Sequence, residues 1–114
     1  MNIKLNEELF NAIIDKNSSP EFLREVIETN GDNYYSCWAI RHENCPIDII
    51  ENTLKGYKDN NMSRCAVLNP NCPEYLLINI LNLNRYDLLS HYASLNDKVK
   101  YKRSNWLKNV KKDN

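Results

Sequence analysis

The stretch 69-NPNCPEYLL-77 places two prolines three residues apart directly in front of an apolar run. Related stretches lie upstream, 43-ENCPIDII-50 closely and 17-NSSPEFLREV-26 more loosely. Proline opens a helix at no cost because the first-turn N–H groups are unpaired in any case and its φ is already helical. The residue before a proline is pushed out of the α region, which ends a preceding helix. Pro70 therefore stops one helix and Pro73 starts the next, so the stretch is a corner between repeated units.

Two markers give the period. Ala39, Ala66 and Ala93, in SCWAI, SRCAV and SHYAS, are 27 residues apart, and Pro20, Pro46 and Pro73 are 26 and 27 apart. A period of this size points to a helical array. Each unit reads as two short helices. In the first, the apolar positions three and seven residues after the proline are Leu23 and Ile27, Ile49 and Thr53, Leu76 and Ile80, which share one helical face. Ser19 is placed to cap the first of these helices, and Asn44 and Asn71 are expected to help the poorly capping Cys45 and Cys72 in the other two. The second helix of each unit ends around the alanine, with Tyr35 and Trp38, Met62 and Cys65, Leu89 and Tyr92 expected to share its buried stripe. GDN (31–33), KDNN (58–61) and LNR (83–85) are expected to break the chain between the two helices.

The predicted fold is all-α, a short right-handed α-solenoid of about three 27-residue two-helix repeats with N- and C-terminal capping helices. One domain spans 1–114: an N-cap helix at 1–17 with Leu9 and Ile13 inward, repeats at 18–44, 45–71 and 72–97, and a basic C-terminal segment at 98–114 with Val99, Trp106, Leu107 and Val110 packing on the last unit.

Composition narrows the function classes. With 42% apolar residues in 114, the chain can build a continuous core without staples. Its four cysteines show no C-x-x-C or paired Cys/His spacing, and the N-terminus does not read as a signal peptide, so a reducing cytoplasm is expected. No stretch is apolar enough to span a bilayer. Net charge is zero but uneven: residues 1–97 carry 8 Lys/Arg and 14 Asp/Glu, residues 98–114 carry 7 and 1. The Asn-, Lys-, Ile- and Tyr-rich composition points to an AT-rich bacterial or phage source.

The combination of alanine, NPNCP and an apolar helix resembles the leucine-rich repeat variant family. AVLNPNCPEYLL (66–77) carries the likeness most closely, AIRHENCPIDII (39–50) less so, and ASLND (93–97) is a truncated end. The resemblance covers residues 13–97 and implies stacked short units in a right-handed solenoid. The period of 27 is longer than that family's unit, the first unit lacks Asn-Pro, and the N-terminal cysteine cluster that binds an iron–sulfur centre in some members is absent. A HEAT-like or armadillo-like array is the alternative, with the same implication for function.

Little supports catalysis. His42 and His91 occupy different repeat positions, and no nucleophile, phosphate-loop or metalloprotease motif occurs. No cofactor and no metal site is expected. Cys45 and Cys72 should stack at roughly the 10 Å spacing of packed helices, too far apart for a disulfide, and read as structural thiols. The serines Ser36, Ser63 and Ser90 read as back-bonded or tightly packed. The positions five and two residues before each alanine and two after it define an outward stripe: Tyr34, Cys37, Arg41; Asn61, Arg64, Leu68; Leu88, His91, Leu95. Its mixture of aromatic, basic and apolar side chains is that of a protein-binding face. Partner-binding residues are therefore expected to be Tyr34, Arg41, Arg64, Leu88 and His91, with Lys102, Arg103 and Trp106 in the basic segment. The expected function is a non-enzymatic protein–protein interaction module, an adaptor or an inhibitor, including a phage-encoded inhibitor of a host nucleic-acid machine. The alternative is nucleic-acid binding through residues 98–112, where cations interleave with aromatic rings. Homo-oligomerisation through the exposed array ends is left open.

Overall fold

The computed structural model describes residues 3–100, with side chains from residue 7 onward. Among them are seven α-helices, α1 (Ile3–Ile14), α2 (Pro20–Asn30), α3 (Tyr34–Arg41), α4 (Ile47–Thr53), α5 (Asn61–Val67), α6 (Glu74–Asn82) and α7 (Leu88–Ser94), then one 3-10 turn at Asp97–Val99 and no strand. The fold is all-α. Lys102, Arg103 and Trp106, expected to bind a partner, and Leu107 and Val110, expected to pack on the last unit, lie outside the described residues.

The even-numbered helices begin at the prolines, in two ways. Pro20 occupies the first turn of α2, and Ser19 Oγ accepts from the Phe22 amide at 3.1 Å. Pro46 and Pro73 are instead the cap residues of α4 and α6: their ψ of 136° and 133° is extended, and no side chain caps these helices. Their carbonyls accept from Ile49 and Leu76. Asn44 and Asn71 do not assist these starts, contrary to expectation, because their amides reach back to the preceding turn of chain.

The odd-numbered helices share one start signal. Asn33, Asn60 and Asp87, spaced by 27 residues, accept from the amides of Ser36, Ser63 and Ser90 at 3.0, 2.9 and 2.9 Å. The third cap lies beyond LNR, at Asp87. Chain reversal ahead of these caps uses left-handed residues: Gly31 and Gly56, and at the third reversal Asn84 and Tyr86, with φ of 55° and 57°. Tyr57 is left-handed as well. At the non-glycine residues this conformation costs on the order of 1–3 kcal/mol each and persists because the surroundings hold it.

The odd helices pack in succession, α1 on α3, α3 on α5 and α5 on α7, while α2, α4 and α6 each pack on the odd helix that follows. The marker alanines Ala39, Ala66 and Ala93 are fully buried. So are Ile40 and Val67 one residue on, and Ser36, Ser63 and Ser90 three residues before. That corrects the expected stripe: Tyr35, Trp38, Met62, Cys65 and Tyr92 are half-buried and lie along the core's edge, whereas Leu89 is buried as expected. Small serines line the inner face. Ser63 Oγ donates to Thr53 O at 3.3 Å, across to α4 rather than back along its own helix. Ser36 Oγ and Ser90 Oγ are buried with no hydrogen-bond partner among the described residues.

Leu23, Ile49, Leu76 and Ile80 fill the core from the even helices, joined by Ile50, Leu54, Leu77 and Leu81. Ile27 is partly buried and touches both the small cluster around Ile13, Leu23, Val26 and Ala39 and the larger one beyond, so the core is continuous. Val99 closes it at 0% exposure.

Candidate partner-binding face

The face formed by the odd helices is held in register by polar groups at their C-terminal ends. A helix end leaves carbonyls without partners, and burying them requires donors. Here side chains from the next unit supply them. Asn69 Nδ2 donates to Ile40 O and His42 O, both at 2.7 Å. Asn96 Nδ2, 27 residues on, donates to Val67 O and Asn69 O, both at 2.9 Å. At the equivalent position in the preceding unit, His42 Nε2 lies 2.7 Å from Asp15 O. In each case the other polar atom closes a local turn: Asn69 Oδ1 accepts from the Asn71 amide, Asn96 Oδ1 from the Lys98 amide, and His42 Nδ1 from the Asn44 amide. That bond makes Nδ1 an acceptor, so His42 is the neutral Nε2–H tautomer and mimics an asparagine.

Asp15 repeats the turn once more, its Oδ1 accepting from the Asn17 amide. Ala12, 27 residues before Ala39, marks α1 as the same kind of element. A second rung lies two residues further on: Asn44 Nδ2 donates to Lys16 O and Ser18 O, Asn71 Nδ2 to Glu43 O, and Lys98 Nζ to Cys72 O. The signal was present in the sequence, since His42, Asn69 and Asn96 are 27 apart. Asparagine abundance attributed to base composition concealed it.

On this frame the predicted outward stripe is outward. Tyr34, Leu88 and Leu95 are 60%, 49% and 43% exposed. Arg41 and His91 are exposed, and Cys37, Arg64 and Leu68 are half-buried. The residues are not equivalent in availability. Arg64 Nε donates to Asp59 Oδ1 at 2.6 Å, and that contact holds the Asp59 carboxyl below its ordinary range while raising the guanidinium. Its charge is thus already engaged. Arg41 instead lies over the Trp38 ring, 4.7 Å from its centroid, with no salt bridge among the described residues. Tyr34 stacks on Phe10 of α1 at 5.8 Å, and Phe10 meets Trp38 edge-on at the same distance. The aromatic end of the face, including Phe10, extends onto the N-terminal helix.

Two clefts follow the C-terminal ends of the odd helices. The first, of about 330 Å³, is lined by Ile14, Trp38, Arg41, His42, Leu68 and Pro70. The second, of about 180 Å³, shares Leu68 and Pro70 and continues past Leu95 to Lys98. Ile14, Arg41, Leu68 and Leu95 are 27 residues apart and form one column beside these clefts. A further cleft of about 350 Å³ between Glu51, Tyr57 and Tyr75 lies on the even-helix side, where Tyr75 Oη donates to Glu51 at 2.7 Å.

His42 is committed to the ladder between α1 and α3, and His91 sits two units away on α7 beside Tyr92. Cys45 and Cys72 are buried, each donating to the carbonyl of the following proline, and burial pushes both thiols up to about 12. No helix among the described residues is long and apolar enough to cross a membrane. Comparison of the chain with family models, with curated proteins and with solved structures returned no match.

Proposed function

We propose that the protein is a non-enzymatic protein-interaction module. Its helices are read as a short solenoid of about three 27-residue units, right-handed as the resemblance to leucine-rich repeat variants implies, working as an adaptor or inhibitor in a reducing cytoplasm. The observation that carries this reading is the paired clefts sharing Leu68 and Pro70, flanked by exposed Tyr34, Leu88 and Leu95 and by Arg41, which lies over Trp38 and has no salt bridge among the described residues. Aromatic and arginine anchors beside apolar pockets are the groups that dominate protein interfaces. An extended segment or helix bearing apolar side chains and a carboxylate fits this chemistry.

The test is retention of partners from lysate of the source or its host, in nuclease-treated and untreated halves, identified by mass spectrometry. A discrete protein should be retained in both halves, lost with Tyr34→Ala and Arg41→Glu, and kept with Tyr75→Ala on the even-helix side. Retention that disappears with nuclease, or with Lys102→Glu and Arg103→Glu alone, would replace this reading with nucleic-acid binding through the basic segment.

A further inference from the structure

The two clefts on the odd-helix face repeat one another along the array. Ile14, Arg41, Leu68 and Leu95 hold one position of the 27-residue period, and Leu68 with Pro70 forms the wall between the clefts. Helices α3, α5 and α7 pack in succession, and packed helices lie about 8–10 Å apart, so the clefts are offset by that step. They differ in charge. Arg41 lines the first, over the Trp38 ring and with no salt bridge among the described residues. Asp97 lines the second, where the Lys98 ammonium donates to Cys72 O at 2.9 Å and is committed to the backbone.

We propose that this face takes a proline-rich segment of a partner protein in the polyproline II conformation, an assignment that rests on the interaction-module reading of the same face. Apolar side chains three residues apart fill the two clefts, and a carboxylate sits beside Arg41. Spacing selects this conformation. A polyproline II helix turns once in three residues and rises about 3.1 Å per residue, so side chains i and i+3 lie on one side about 9.3 Å apart. A β-strand sends i and i+3 to opposite faces, and its same-side positions i+2 and i+4 fall about 6.6 and 13 Å from i. An α-helix comes near only at i and i+7, about 10.5 Å apart, and its backbone groups are already paired internally. Polyproline II leaves its carbonyls unpaired, and Trp38, which lines the first cleft, carries an indole N–H that can only donate.

The rim suits proline rings. Phe10, Tyr34 and Trp38 form one aromatic set, with centroids 5.8, 5.8 and 6.4 Å apart. Aromatic-walled grooves hold polyproline II segments, whose stiffness lowers the cost of ordering them. Charge then fixes the direction of the ligand. Its acidic residue belongs at the Arg41 cleft, and an uncharged or basic residue at the cleft lined by Asp97.

The experiment is fluorescence polarisation of the labelled peptide Glu-Leu-Pro-Pro-Leu-Pro with the full-length protein at low salt. Binding should saturate. The same peptide with Lys in place of Glu should bind about tenfold more weakly, and Arg41→Glu should reverse that order. Leu95→Asp, at an exposed position outside the core, should weaken binding about tenfold, whereas Tyr75→Ala on the even-helix side should leave it unchanged. Absence of saturable binding, equal affinity for the Lys peptide, or tighter binding of a helical peptide with leucines seven residues apart would overturn the assignment. A lysate protein still retained through Tyr34 and Arg41 in that event would leave the interaction-module reading standing, so the two fail separately.

Discussion

Replacing Asn69 with alanine removes both of its ladder roles at once. The side chain is fully buried, its Nδ2 satisfies two carbonyls in the preceding unit, and its Oδ1 satisfies the Asn71 amide. Each such bond contributes about 1 kcal/mol net, and a buried group left unpaired costs about 1–3. Three orphaned groups, partly relieved by water entering the vacated space, give about 3 kcal/mol. With a urea m-value of about 1.5 kcal/mol/M, the midpoint falls by about 2 M. Asn69→Asp is the sharper test because it is nearly isosteric. A carboxylate cannot donate to Ile40 O and His42 O, and it faces both oxygens in a site closed to water, so it should destabilise more than alanine does. Asn71→Ala is the control: its bond to Glu43 O lies at the surface, where water replaces it, and its cost should stay below about 1 kcal/mol. Urea unfolding followed by circular dichroism reads all three. An Asn69→Ala cost no larger than that of Asn71→Ala, or an Asn69→Asp protein as stable as Asn69→Ala, would refute the ladder as the element that joins the units.

Four further outcomes follow from the same geometry. His42→Asn installs the residue found at the other two rungs and should stay within about 1 kcal/mol of wild type, whereas His42→Ala loses both bonds and costs about 1–2 kcal/mol by the same unfolding assay. Ser36→Ala and Ser90→Ala remove buried hydroxyls that have no hydrogen-bond partner among the described residues and should be neutral or stabilising by up to about 1 kcal/mol, while Ser63→Ala loses its bond to Thr53 and should destabilise. Arg24 and Arg64 lower the carboxyls of Asp48 and Asp59 below their unfolded values, so these pairs contribute stability above about pH 4 and lose it as pH falls through the folded values. The gap in urea midpoint between wild type and an Arg24→Ala, Arg64→Ala variant should therefore be present at pH 7 and close in acid. Finally, iodoacetamide at pH 8 should leave Cys45 and Cys72 unmodified in the native protein and label them once urea unfolds it, as peptide mass mapping would show.

What was legible in the sequence is what each unit needs for itself. A helix start requires a proline or a short polar side chain at a fixed place, so Pro20, Ser19, Asn33 and Asn60 announced their helices locally. Close packing requires a small residue, so the alanines kept their period. The errors came where a local need has two solutions. Asn44 and Asn71 stand where a cap would stand, yet they serve the carbonyls of the preceding unit, because a proline cap residue leaves its helix with no side-chain acceptor to offer. Relations between units were harder to read, since they depend on how far one helix is turned against the next. Of the nine outward positions six are exposed, while Cys37, Arg64 and Leu68 are half-buried. Of the positions four and one residues before each alanine, expected in the core, only Leu89 is buried; the other five are half-buried, and Met62 among them lies against Cys37 of the outward stripe. No local spacing predicts a meeting between Cys37 and Met62, 25 residues apart in the chain.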